Sequence, residues 1–138
     1  VLVRGNRTEL APTQEVFWLH ERLEPGSTSY AVVAAVRLRG DLDAPALAAA
    51  VGALVDRHDA LRVRLVADPA DGRPMQEAVA PAEARLELAV HDLAGRAAPG
   101  EEARRLLREA ARRPLPLDAA PLARALLVRV AAREHVLG

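Results

Sequence analysis

Cysteine is absent from the 138 residues, which excludes disulfides and thiolate-bound metal ions and allows a reducing compartment. Lysine is absent as well. All 19 basic residues are arginine, and 19 acidic residues bring the formal net charge to zero. No global field steers such a chain to nucleic acid or to an anionic membrane. Aromatics amount to one Phe, one Trp and one Tyr, too few for a single-strand nucleic-acid reader that stacks successive bases. No apolar run approaches the roughly 18 residues of a membrane span. The opening segment, Val1 to Leu10, has arginines but no apolar stretch before a small-residue cleavage site, so it reads as no signal peptide. The expected location is the cytoplasm, with neither nucleic acid nor membrane as partner.

What is present is a globular composition, 51% hydrophobic and 28% charged, at a one-domain length able to bury a modest core. The spacing predicts a first helix over 12–23, with Pro12 in its first turn, Pro25-Gly26 stopping it, and Val16, Leu19 and Leu23 on one apolar face. A strand is expected over 30–39, with Val32, Ala34, Val36 and Leu38 on one side. Asp43 caps a second helix, with Pro45 in its first turn, followed by Leu47, Val51, Leu54, Val55 and His58. The period then becomes two: Leu61, Val63 and Leu65 face one way, Arg62 and Arg64 the other. Asp68-Pro69 and Asp71-Gly72 turn that strand into a hairpin with 75–79.

Residues 85–90 alternate again, with Leu86, Leu88 and Val90 on the apolar side. Pro99-Gly100 opens a third helix through about Arg113, acidic at its start and basic at its end, as the helix dipole favours. The proline-rich stretch 114–121 cannot continue a helix. Residues 122–132 suit a strand covered on both faces, and 135–138 begin another. The order α-β-α-β-β-β-α-β-β favours an α+β or mixed-sheet domain.

Chemistry is sparse. The four histidines, His20, His58, His91 and His135, fall in no HExxH or other metal-ligand spacing. There is no glycine-rich phosphate loop and no GxSxG. Ser27 and Ser29 sit in a turn sequence. The arginines of the third helix could face an acidic partner or be laced into Glu101–Arg105 and Arg105–Glu109 pairs.

Two segments add more. Leu10-Ala11-Pro12-Thr13-Gln14-Glu15-Val16-Phe17-Trp18-Leu19 resembles the first core motif, SxAQxRLW, of the condensation domains of non-ribosomal peptide synthetases. Gln14 and Trp18 match it; Ala11, Thr13 and Val16 depart from Ser, Ala and Arg. Arg57-His58-Asp59-Ala60-Leu61-Arg62 resembles the second, RHExLR, with Asp59 for Glu, and Val63 and Leu65 depart from the Thr and Phe that often follow. Pro25-Gly26-Ser27-Thr28-Ser29-Tyr30 is similar to PGSxxYN with Ala31 for Asn, and Leu38-Arg39-Gly40-Asp41-Leu42-Asp43 to LxGxLD. Residues 116–125 look like the segment before the active-site strand.

The resemblance implies a chloramphenicol-acetyltransferase-like αβα sandwich, α+β, of which residues 1–138 form most of the N-terminal lobe with a mixed, largely antiparallel sheet. It implies acyltransferase-type chemistry, an amide formed between aminoacyl or peptidyl thioesters held on the 4'-phosphopantetheine arms of carrier proteins. Implied partners are carrier domains, the remainder of the condensation domain and an adjacent adenylation domain. The family's HHxxxDG is absent, so no catalytic residue and no metal ligand is expected within the chain, and the segment alone is expected to be inactive. Arg62, Arg57, His58, Gln14 and Trp18 are the expected supporting residues, with Arg62 able to pair with the HHxxxDG aspartate. For Arg57 and His58 helix capping is an equal reading, for Trp18 core packing, and for Gln14 backbone satisfaction. Epimerisation, heterocyclisation, ester formation, or a non-catalytic recruiting module of the same fold remain alternatives.

Overall fold

Proline stands in the first turn of each α-helix among the described residues: α1 (Pro12–Leu23), α2 (Ala44–Arg57) and α3 (Pro99–Ala111). A first-turn N–H lacks an intrahelical partner anyway, so its loss costs nothing there. Asp43 completes the start of α2, accepting from the Ala46 N–H at 2.9 Å. At α1 the Gln14 side chain accepts from the Ala11 N–H at 2.8 Å; alanine has no acceptor to return the bond, so half of a capping box is formed. The structure, a computed structural model, describes residues 7–138. Residues 1–6, part of the opening segment that carries no signal-peptide pattern, lie outside the described residues.

The strands are β1 (Arg7–Glu9), β2 (Val36–Arg39), β3 (Val63–Ala67), β4 (Pro74–Ala78), β5 (Leu88–Asp92), β6 (Ala125–Ala131) and β7 (Glu134–Leu137). Among the described residues they form two sheets. One has the order β1-β4-β3 and is antiparallel throughout. The other has the order β2-β7-β6-β5 and is mixed: β5 and β6 are parallel, joined across α3, while β6–β7 and β2–β7 are antiparallel. After β1, the elements follow the order that the periodicities predict. β1 escapes a periodicity argument because three residues give no alternation to detect. At the β3–β4 turn Gly72 has φ +75, and its N–H reaches Asp68 O at 2.8 Å.

The core is divided. Leu126, Leu127 and Val128 are buried in succession, so β6 is covered on both faces, as a run of apolar residues requires. On one face α3 packs Ala103, Leu106, Leu107 and Ala110 against Leu93, Leu126 and Val128. A second cluster joins Leu10, Val63 and Leu65 with Trp18 and Leu117, and a third joins Val55, Val79 and Ala84 with Leu86 and Ala120.

Four expectations need correction. The strand over 30–39 narrows to β2, Val36–Arg39, the residues that face β7. The strand over 61–66 starts at Val63. Asp59–Arg62 forms a 3-10 turn instead, which turns Leu61 outward (39% exposed) and Arg62 inward (1%). The strand over 85–90 shifts to 88–92, where β6 fixes its register, after a 3-10 turn at Pro81–Glu83. Finally, the apolar face of α1 formed by Val16, Leu19 and Leu23 is exposed; α1 packs through Trp18 instead.

Candidate functional site

The helix-to-strand junction carrying Arg57 to Arg62 closes on the Arg62 guanidinium. A guanidinium has five N–H donors. Here Nε donates to Val79 O at 3.1 Å, and Nη1 to Val55 O at 2.6 Å and Asp56 O at 2.7 Å. Nη2 donates to the Asp59 carboxylate. Two of the three carbonyl acceptors are last-turn carbonyls of α2, which no helical N–H can reach. The third lies just beyond β4. Arg62 therefore ties the end of α2 to the exit of β4, and one Nη2 hydrogen is left unspent. Alternation alone places Arg62 on a face shared with Arg64. The partner that sequence reasoning missed is Asp59, and its spacing of three residues from Arg62 in a 3-10 turn is the signal that could have found it.

The other motif meets the same sheet from above. Gln14 Nε2 donates to Gln76 Oε1 at 3.1 Å across 62 residues of chain, and Gln76 Nε2 in turn donates to Glu9 O at 3.0 Å. Gln14 thus serves both the α1 backbone and β4. Trp18 packs against Leu10, Val63, Leu65 and Leu117. Arg62 directly precedes β3, so the two motif segments converge on β3 and β4. Arg57 and His58 are not drawn into this centre. Both are exposed at the end of α2, where His58 is the C-terminal cap residue and its N–H bonds Leu54 O at 3.1 Å.

Arg124 repeats the device at α3. Its Nη1 donates to Ala110 O at 2.8 Å and Arg113 O at 3.0 Å, and its Nη2 to Pro114 O at 3.3 Å. Along α3 the ion pairs are Arg105–Glu109 at 2.7 Å and Arg105–Glu102 at 3.7 Å; Glu102 thus takes the place expected for Glu101.

Between α1, the 27–34 loop, α3 and the 113–124 segment lies a largely apolar groove of about 460 Å³. Phe17, Tyr30, Leu107 and Leu122 contribute to its walls, with His20, Glu21 and Ser27 as polar members. His20 Nε2 meets Ser27 Oγ at 2.9 Å. The acid beside that ring, Glu24, faces the same nitrogen at 3.8 Å. Among the described residues no carboxylate orients the other nitrogen, so the serine–histidine contact there is not arranged as a nucleophile with its base and orienter. Tyr30 stacks edge-on to both Phe17 and His20, with centroids 4.9 Å apart in each case.

Two carboxyls are held below the usual carboxylate range. Asp92 is stabilised as the anion by the Ala94 N–H and the Arg129 guanidinium, and Asp71 by the Arg73 N–H and guanidinium. Both are surface pairs of structural kind. His135 is buried on β7 with Nδ1 unpartnered. Among the described residues no three His, Asp or Glu side chains gather as a metal site, and no helix is long and apolar enough to cross a membrane.

The mixed sheet with its parallel βαβ crossover, and α3 packed on it, is shared with solved condensation domains, whose fold is chloramphenicol-acetyltransferase-like. The chain is similar to the first condensation domain of the CDA synthetase, with a TM-score of 0.88 and 26% identity over 96% of this chain and 34% of that one. It is also similar to the starter condensation domain of rhizomide synthetase RzmA, with a TM-score of 0.85 and 26% identity over 96% of this chain and 32% of that one. The Condensation domain family model matches residues 5–138, and the chain belongs to that family. Among curated relatives, isonitrile lipopeptide synthase of Mycobacterium tuberculosis is 35% identical over 99% of this chain. Phosphinothricin tripeptide synthetase PhsC of Streptomyces viridochromogenes is likewise 35% identical, over 88% of this chain. The chain spans 5% and 11% of those two proteins.

Proposed function

We propose that residues 1–138 are the N-terminal part of a condensation domain in a cytoplasmic peptide synthetase. That domain joins two carrier-tethered aminoacyl or peptidyl thioesters through an amide bond. The acceptor amine attacks the donor thioester carbonyl, the C–N bond forms, the C–S bond breaks, and the thiol of the donor's phosphopantetheine arm is released. The phosphopantetheine arms belong to the substrates; this chain provides the frame against which they are positioned. The observation that carries the reading is the convergence of both motif segments on β3 and β4, within a chain that matches the family over nearly its whole length.

Within that frame Arg62 is a positioning residue. Its remaining Nη2 hydrogen is the donor through which it would hold the aspartate of HHxxxDG. Carrier domains find a docking face on α1, where Val16, Leu19 and Leu23 form an exposed apolar stripe, Leu23 being 71% exposed. A stripe of that kind on a soluble domain marks a contact site. The 138 residues lack HHxxxDG, so they forgo the orienting or general-base contribution, commonly about 10²–10⁴-fold, and form no amide alone.

The test joins this segment to the remainder of its own synthetase, loads both flanking carriers and follows the amide product by mass spectrometry. The joined protein is expected to turn over and the 138 residues alone to stay at background. Turnover by the segment alone, or no amide from the joined protein with both carriers loaded, would overturn the proposal.

A further inference from the structure

The crossover helix α3 ends on a carbonyl that its own chain cannot satisfy well. The helical partner of Ala110 O would be the N–H of residue 114, and Pro114 has none. Ala110 O takes instead a 3.3 Å bond from the Arg113 N–H and a 2.8 Å bond from Arg124 Nη1. The same Nη1 donates to Arg113 O at 3.0 Å, and Nη2 to Pro114 O at 3.3 Å. Arg124 stands one residue before β6, so it ties the end of α3 to the head of that strand.

From both ends of this tie the contacts lead to Gly138. Two residues beyond Arg124, Leu126 exchanges both backbone hydrogen bonds with Gly138, each at 2.8 Å, which makes them a closely bonded pair of the antiparallel ladder. About one turn before Ala110, Leu107 lies against Gly138 so closely that a Cβ added there would overlap Leu107 Cδ2. Leu126 also belongs to the core cluster on which Leu107 and Ala110 rest. We propose that Arg124 is a positioning residue: by holding α3 against the head of β6, it sets the place at which the backbone leaves β7 at Gly138. The inference rests on the function proposed above, in which HHxxxDG follows β7 and orients or deprotonates the acceptor amine. Arg124 touches no reacting atom. Its influence passes through Leu126 and Leu107 to the start of the segment that carries the histidines, where a misplacement of about 1 Å can cost on the order of a hundredfold in rate.

The joined synthetase with both carriers loaded tests this. Arg124→Ala is expected to lower kcat per folded molecule on the order of tenfold to a hundredfold, with KM for either carrier unchanged, as for a residue that binds neither substrate. Arg124→Lys keeps a donor for Ala110 O and Arg113 O and should recover part of that kcat. Gly138→Ala should lower kcat in the same way, and adding Leu107→Ala should restore part of the loss, a coupling that a merely stabilising clamp would not give. Hydrogen exchange at the Leu126 and Gly138 amides should quicken in Arg124→Ala more than exchange in the β1-β4-β3 sheet. A kcat that follows only the folded fraction overturns the inference, as does exchange that quickens equally in both sheets. If the parent makes no amide, the reading of function fails, and the exchange comparison alone then decides whether Arg124 holds Gly138.

Discussion

Replacing Arg62 with alanine is the most informative perturbation of the fold, because the guanidinium acts chiefly as a donor to backbone. Val55 O, Asp56 O and Val79 O each lose the donor they have in the native chain. A buried polar group left without a partner costs about 1–3 kcal/mol. Asp56 is exposed, so water can replace the donor at its carbonyl, and the other two carry most of the loss. The Asp59 carboxylate is 46% exposed, so it rehydrates at little cost, as surface ion pairs do. The expected loss for Arg62→Ala is therefore about 3 kcal/mol, a large share of a domain stability on the order of 10 kcal/mol.

Asp59→Asn removes the charge of the pair and leaves the three carbonyl bonds, so it should cost less than about 1 kcal/mol. Urea unfolding of the two single variants and the double variant measures all three quantities. If Asp59→Asn proved as costly as Arg62→Ala, the ion pair and not the carbonyl clamp would hold the junction. If Arg62→Ala cost under about 1 kcal/mol, the clamp itself would be wrong.

Leu127→Ala, at a position with no exposure, should cost about 2–5 kcal/mol in urea unfolding, whereas Leu23→Ala on the open face of α1 should stay within about 0.5 kcal/mol. Asp92 and Asp71 are held below the ordinary carboxylate range, so the folded state binds fewer protons at these sites than the unfolded one. Their stabilisation is full above that range and fades as pH falls through it; the stability difference between pH 7 and pH 3 should narrow in Asp92→Asn and again in Asp71→Asn. In the joined synthetase, Leu19→Glu with Leu23→Glu should raise the KM for the carrier-bound substrate with little change in kcat; an unchanged KM would move carrier docking off α1.

Helix starts were legible in the sequence because their signals are local. Pro12, Asp43 with Pro45, and Pro99 each act on backbone within a turn of themselves, and α1 runs over the predicted span. Strand ends were less legible because a strand is as long as its neighbour. Nothing within residues 85–90 records that β6 sets the register of β5 over Leu88–Asp92. Periodicity also identifies an apolar face without identifying what covers it, which is why Val16, Leu19 and Leu23 could be recognised as one stripe and yet lie open. At the candidate site Gln14, Trp18 and Arg62 were singled out by motif resemblance. Gln76, Asp59 and the three carbonyls were not, because each is defined by how far the chain folds back.

The absence of lysine bears on this architecture at two positions. Both Arg62 and Arg124 close a helix C-terminus with a single Nη1 that meets two carbonyls, while a second nitrogen of the same rigid plane reaches a third: Nε of Arg62 to Val79 O, and Nη2 of Arg124 to Pro114 O. A lysine ammonium is a single compact centre on a flexible stem, so it could serve the carbonyl pair that one Nη1 meets but not the third carbonyl at the same time. Elsewhere, as at Arg105 on the outer face of α3, an ion pair with glutamate needs only charge, and lysine would serve. An arginine-only composition is therefore a bias of the whole chain that gains a geometric use at Arg62 and Arg124, where a second nitrogen ties the helix end to a further carbonyl. The guanidiniums act beside modest apolar burial: Val55 is the buried residue of α2, and Ala103 that of α3, with Leu106, Leu107 and Ala110 partly buried next to it.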